Sequence, residues 1–491
     1  MRTSMVMALL AWMALGASAV FAETGPLFQF NETAGPHTAG LKVVEQYDYS
    51  RTYRRTTDAL GREYAGERAR PLQILIWYPA EVGNGQRMTV GDYASLLSTE
   101  TSFGAPTVPV AASEFLAGLS PALAAPLRAV RDAPAVAGRF PVVIYAPGFS
   151  SAAWENADLC EYLASHGYVV IASPSMGATT RAMTTDLAGI TAQARDISFL
   201  IGYASSLANA NVSEVAVLGF SWGGLANLFA AARDNRIDAL ISLDGSMRSS
   251  PAFVQQAGDV HPEQMTLPLL SIAGAPMTLE YEERVLNETE RQGPNVLNSW
   301  THGDLTAVHL LGFVHWQHAS MYQRNELIWQ MLFPQMRHAD YDRGDAIAGY
   351  GWLARYVRAF LDGYLKDDAS SIDYLKRTPT ENGAPKHFLS ASFRAASGRP
   401  ASFDAFRAEV ARRGFAKAAE VHADFQKQSA GFQPDADAMN DWSDELIGLR
   451  MVGEASAVLK LNAQIHPRDE GATQRLRALA NGAVQGLNQR R

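Results

Sequence analysis

The stretch Val215-Ala-Val-Leu-Gly-Phe-Ser-Trp-Gly-Gly-Leu-Ala226 reads as a strand, a forced turn and a helix with a serine at the apex. Val215 to Phe220 is a short apolar run carrying β-branched residues, and Leu225 to Ala232 has helical composition with no breaker. Between them lies Gly219-Phe-Ser-Trp-Gly223, the G-x-S-x-G pattern of a nucleophile elbow. A turn that sharp leaves no room for side chains two positions either side of the serine, and glycine tolerates the crowding. The helix start behind Ser221 offers unpaired backbone N–H groups to a developing oxyanion. Ser221 is therefore the candidate nucleophile.

Apolar strand runs flank this stretch on both sides. Leu72 to Pro79, Pro141 to Ala146, Tyr168 to Ala172, Ile237 to Asp244, Leu269 to Ala273 and Leu305 to Leu311 read as strands. Helices are expected over Asn156–His166, over Asp186–Ala208 and, closing the domain, over Ala346–Leu365. Near-continuous apolar strands alternating with helices predict an α/β fold with a mostly parallel sheet covered on both faces. Right-handed crossovers would then bring the C-terminal ends of the strands to one edge, where the sites of open α/β sheets lie. Residues 81–138 and 278–304 read as irregular insertions, the first with short helices near Asp92–Thr99 and Ala112–Leu119.

A serine hydroxyl needs a histidine base, and the base needs an orienting carboxylate. Asp244 directly follows the strand after the elbow, whereas the next strand meets no acid until Glu280, so Asp244 is the favoured acid. Four histidines cluster at 302, 309, 315 and 318. His302 precedes its strand and His309 lies within it, whereas His315 and His318 fall in the loop beyond, where a base belongs. A metal site is the rival reading of this cluster, but His-x-x-His without an adjacent Glu or Cys ligands is thin support for one. No metal and no organic cofactor is expected. For the oxyanion, the candidate donors are the amides of Trp222 and of Phe149, the latter in the loop Ala146-Pro-Gly-Phe-Ser-Ser151.

These residues resemble the serine branch of the α/β-hydrolases that groups dienelactone hydrolases with platelet-activating-factor acetylhydrolases. The resemblance is carried by Ile76-Trp-Tyr-Pro-Ala80, Arg139-Phe-Pro-Val-Val-Ile-Tyr-Ala-Pro-Gly-Phe149, Leu163-Ala-Ser-His-Gly-Tyr-Val-Val170, Gly219-Phe-Ser-Trp-Gly-Gly224, Ser242-Leu-Asp-Gly245 and Val314-His315. It covers roughly residues 70 to 365. It implies Ser221 as nucleophile, Asp244 as acid and His315 as base, with His318 the alternative base. It further implies hydrolysis of a carboxylic ester of a small molecule. The family often has His-Gly at the oxyanion loop, where this chain has Pro147-Gly148.

At 491 residues the chain is long for one domain, and the texture changes after residue 378. Residues 23–378 are expected to form the hydrolase domain, 379–399 a linker, and 400–491 a small helical domain. Short amphipathic helices are expected there over Phe403–Arg413, Lys417–Gln428, Asn440–Val452, Glu454–Gln464 and Glu470–Leu487, their apolar faces buried against the hydrolase domain. Gly453 to Pro467 is similar to the second helix of a tetratricopeptide repeat, which makes this tail a candidate surface for a protein partner.

Residues 1–22 read as a signal peptide: Arg2, an apolar stretch from Met5 to Leu15, then small residues ending at Ala19 or Ala22. The expected location is secreted or periplasmic, with no membrane span after cleavage. A net charge of −8 without a basic run argues against a nucleic-acid partner. The single cysteine, Cys160, has no disulfide partner and falls on an expected helix, which suits a buried thiol. Two other readings are weighed: a serine peptidase or amidase on the same triad, and a binding protein in which the triad is inert and the tail recruits a protein.

Overall fold

The computed structural model describes residues 27–57, 60–83, 85–103, 112–274, 295–330, 341–398, 400–429 and 432–480. The expected signal segment lies outside them, as do Glu280 and most of the 278–304 insertion.

The described strands are β1 (Thr38–Thr52), β2 (Ala69–Ala80), β3 (Arg87–Thr89), β4 (Pro126–Arg131), β5 (Phe140–Ala146), β6 (Val169–Ala172), β7 (Ala210–Phe220), β8 (Ala239–Leu243), β9 (Leu269–Gly274), β10 (Leu305–Leu310) and β11 (Leu389–Arg394). They form one sheet in the order β11-β10-β9-β8-β7-β5-β6-β2-β1-β4-β3. The centre, from β6 to β10, is parallel, and β2 and β11 pair antiparallel at its two sides.

Residues that alternate along a strand point to opposite faces. Val143 and Tyr145 of β5 enter one buried apolar cluster, and Val142 and Ile144 enter the other. Both faces are dry, so the run reads as continuously apolar. Helices α1 (Val90–Ser95) and α2 (Ser113–Leu119) lie in the insertion. On the first face sit α3 (Ala157–Ser165) and, later in the chain, a 23-residue helix over Arg343–Leu365. On the second sit α4 (Leu187–Ala204), α5 (Trp222–Arg233) and α6 (Pro251–Ala257). The long helix is α7; Asp342 caps its start through a reciprocal capping box with Asp345. Helix α8 (Ala369–Lys376) follows.

Several elements depart from the sequence reading. β1 was not expected, because an outer strand with one wet face lacks the continuous apolar signal of the centre. The insertion at 81–138 is not wholly irregular, since β3 and β4 extend the sheet from it. Most tellingly, residues 389–394 fall within the expected linker, yet they form β11 along the whole of β10, from Leu305↔Arg394 to Leu310↔Leu389. An edge strand covers its neighbour's hydrogen-bonding groups with little apolar content of its own.

The tail comprises α9 (Phe403–Arg413), α10 (Ala418–Gln428), α11 (Ala436–Gly448), α12 (Val452–Ile465) and α13 (Glu470–Ala480). The expected burial of its apolar faces against the preceding α/β domain gives way to packing within the tail. Phe406, Val421, Met439, Trp442 and Val458 belong to a separate buried cluster made of tail residues. Asn462, late in α12, donates to the Ala436 carbonyl and to Asn440, early in α11, so these two helices run antiparallel.

Candidate active site

Parallel register places the strand ends at one level: Ala146 beside Gly219, Phe220 beside Leu243, and Leu310 beside Gly274. The residues that follow these ends are therefore gathered on one edge of the sheet.

Ser221 sits in the turn between β7 and α5 with φ 54° and ψ −118°. A positive φ on a non-glycine residue is a strained state that the surroundings must enforce. Here they do. A Cβ on Gly219 would lie 2.4 Å from the Gly223 carbonyl carbon, and one on Gly223 would lie 2.0 Å from the Ala146 oxygen. The turn is further pinned by Ser221 N–H donating to the Leu243 carbonyl at 3.0 Å and by Ser246 N–H donating to the Ser221 carbonyl at 2.8 Å.

Asp244 lies directly after β8, also at positive φ (44°), with its amide on the Ile272 carbonyl. His315 opens a short 3-10 turn, 315–318, beyond β10. The structure brings these three together. His315 Nε2 lies 2.9 Å from Ser221 Oγ, and His315 Nδ1 lies 2.6 Å from Asp244 Oδ2. The imidazole stacks on Phe220 with ring centroids 4.9 Å apart, which fixes its plane. The other Asp244 oxygen meets Arg248 at 3.1 Å and the Gly274 amide at 3.3 Å. Burial by itself would raise the Asp244 carboxyl. The His315 hydrogen bond, and beyond it the positive charge that His318 carries at acid pH and the Arg248 guanidinium, outweigh it and hold the group well below the usual carboxylate range.

His318 does not reach Ser221. It is fully buried, its Nδ1–H donates to the His315 carbonyl at 3.1 Å, and its ring edge meets Phe313. Burial pushes its pKa down to about 4, so at neutral pH it is an uncharged prop under the turn that carries His315. Asn156, buried at the start of α3, holds the same turn from the other side. Its Nδ2 donates to the His318 carbonyl at 3.1 Å, and its Oδ1 accepts from the Ser320 amide at 3.0 Å. His302 caps Gly398 through its ring, and His309 lies within β10, so neither approaches the serine as a partner.

The remaining candidates also meet at this edge. Trp222 opens α5, and its ring packs edge-on against Phe149 with centroids 5.5 Å apart. Among the described residues, neither the Trp222 amide nor the Phe149 amide finds an acceptor. Cys160 is buried in α3, away from this edge, and burial pushes its thiol far up.

Sequence reasoning did not find Arg248, Asn156 or Glu155, a buried acid beneath the Phe149 loop. Arg248 follows Asp244 by one helical turn, a spacing visible in the sequence. Asn156 and Glu155 carry no such signal, because their partners lie far along the chain.

Strand order, the crossovers and the strained serine turn together decide the architecture. The chain has an α/β-hydrolase fold. A family model described as chlorophyllase matches residues 109–250, a span that holds the Phe149 loop, Ser221 and Asp244 and ends before His315. Among solved structures, the chain is similar to a ferulic acid esterase from Streptomyces cinnamoneus. The TM-score is 0.48 at 18% identity, covering 74% of this chain and 98% of that one. No curated protein matches the sequence. Among the described residues no helix is long and apolar enough to cross a membrane, and no group of three or more His, Cys, Asp or Glu is arranged to hold a metal ion.

Proposed function

We propose that this hydrolase cleaves carboxylic esters of small molecules through an acyl-serine intermediate, with Ser221, His315 and Asp244 as its triad. The observation that carries the reading is the unbroken hydrogen-bonded chain from Ser221 Oγ through both ring nitrogens of His315 to Asp244. With Asp244 ionised, Nδ1 carries the imidazole proton and Nε2 is left as the acceptor for the serine hydroxyl. Ser221 Oγ attacks the ester carbonyl while His315 takes its proton. The carbonyl oxygen becomes an oxyanion held by the Phe149 and Trp222 amides. His315 then returns the proton to the departing alkoxide, leaving the acyl-serine. Water, activated by the same imidazole, releases the acid and restores Ser221.

The test is labelling with a fluorophosphonate probe, with the adduct located by peptide mass spectrometry, followed by a panel of aryl and alkyl esters beside matched anilides and peptides. An adduct on Ser221 with ester turnover is expected. A folded protein that takes no label would overturn the reading and favour an inert binding protein; faster amide cleavage would make it a peptidase or amidase. We further propose that the protein is exported, on the strength of residues 1–22, which N-terminal sequencing of the mature chain tests. The antiparallel pair α11–α12 supports the tetratricopeptide-like reading of the tail as a protein-binding surface; pull-down with the tail's antiparallel pair disrupted tests it.

A further inference from the structure

Resting on that reading, we infer that Glu155 is a positioning residue for the oxyanion loop, holding the peptide that precedes Phe149 so that the Phe149 amide faces the reacting oxygen. The loop Pro147–Ser151 contains Gly148, whose backbone is permissive and would by itself sample several peptide orientations. Glu155 removes that freedom. It is 2% exposed, and its Oε1 accepts from the Gly148 amide at 2.6 Å and from the Tyr145 hydroxyl at 2.8 Å. Because N–H and C=O of a trans peptide point in opposite directions, fixing the Gly148 N–H also aims the Pro147 carbonyl. That carbonyl is met from the far side by the buried Gln193, Nε2 donating at 2.8 Å.

The next peptide is fixed in the same manner. The Gly148 carbonyl accepts from the Ser151 amide at 3.1 Å, which turns the Phe149 N–H the other way. Ser151 is itself held by the same acid: its hydroxyl lies 2.6 Å from the Tyr322 hydroxyl, which donates to Glu155 Oε2 at 3.3 Å. Tyr322 packs edge-on against Trp316 and at a tilt against Phe220, the neighbours of His315 and Ser221, and the Met321 amide donates to the Glu155 carbonyl at 3.0 Å. One carboxyl thus ties the oxyanion loop to the segment that carries the base.

Three buried acids elsewhere in the domain have arginine partners, Asp158 with Arg324, Asp196 with Arg70 and Glu100 with Arg181, whereas Glu161, like Glu155, is held by neutral donors, the Tyr93 hydroxyl and the Arg128 amide. Glu155 makes no ion pair among the described residues, and burial raises its pKa to about 7. An acid kept in an apolar site without a countercharge is costly for stability alone. The cost is understandable if its acceptors set the geometry of a site that must be pre-organised.

The decisive pair is Glu155→Met, which keeps the volume but cannot accept, and Glu155→Gln, which keeps an acceptor for the Gly148 amide. An oxyanion donor acts on the transition state rather than on the bound ester. Glu155→Met is expected to lower kcat by roughly ten- to a hundredfold, short of the loss of a whole donor, with KM nearly unchanged. The affinity for a boronic acid that forms the tetrahedral serine adduct should fall by the same factor. Glu155→Gln should recover most of both. If Glu155→Met does not fold, Glu155→Asp retracts the acceptor by one methylene and should show the same split. A folded Met or Asp variant with wild-type kcat, or one whose loss falls on KM with boronate binding intact, overturns the inference while leaving the esterase reading standing. A wild-type protein that fails to label with fluorophosphonate overturns both.

Discussion

Arg248 meets Asp244 on the carboxylate oxygen that His315 leaves free: the guanidinium lies 3.1 Å from Oδ1, while His315 Nδ1 lies 2.6 Å from Oδ2. The acid is thus held at both oxygens by positive or donating groups, in a site where its side chain is only 10% exposed. Removing one partner of a buried charge leaves the other under-compensated. Arg248→Met should therefore lower kcat/KM by about tenfold, through a less firmly held Asp244 carboxylate. A folded variant with wild-type kcat/KM would show that Arg248 serves only the fold.

Asp244→Asn keeps the shape but favours the wrong imidazole tautomer. A fall in kcat on the order of 10⁴-fold is expected, with little change in KM. Steady-state kinetics on a folded variant decide it; near-wild-type turnover would move the acid elsewhere, Glu280 and Glu282 being the first acids after β9.

His315 and His318 should separate sharply. His315→Ala removes the group between serine and acid and should abolish ester hydrolysis, whereas His318→Ala removes only the prop beneath it and should lower kcat modestly. Equal losses in two folded variants would mean that the turn collapses without His318.

His318 also gives a stability signature. Its folded pKa is about 4 against an ordinary value of 6.5. Between these values the unfolded chain binds a proton that the folded protein refuses, so this group withdraws stability as pH falls through that window. The full effect is about 3 kcal/mol. Denaturant unfolding of wild type and His318→Gln at pH 7 and pH 4.5 should show a smaller acid loss in the variant; parallel losses would count against the buried neutral imidazole.

The tail has a cluster of its own, so a chain ending at Gly398 should stay soluble with wild-type kcat. One ending at Lys376 also loses β11 and uncovers the edge of β10, and it should aggregate. Size-exclusion chromatography of the two truncations checks both outcomes.

The elbow was legible because everything that makes it is local. An apolar run, two glycines that a Cβ would wreck, and a helix-forming stretch lie within a dozen residues, so composition along the chain specifies Ser221 and its turn. Asp244 was legible for a related reason: the strand rule allows one position after β8, and an aspartate occupies it. Tertiary structure alone set which of His315 and His318, three residues apart in one turn, lies within hydrogen-bond distance of Ser221 and Asp244, because that depends on where Phe220, Asp244 and Asn156 stand around them. It also decided that residues 389–394 close the sheet rather than link two domains, and that the tail packs on itself. Glu155 lies at the far end of that scale. Its sequence neighbours announce nothing, and its role arises only where a glycine amide, a hydroxyl from residue 145 and another from residue 322 converge on one carboxyl. Local sterics are written in neighbouring residues, whereas the direction in which a buried polar atom is satisfied is set by groups that only folding brings near.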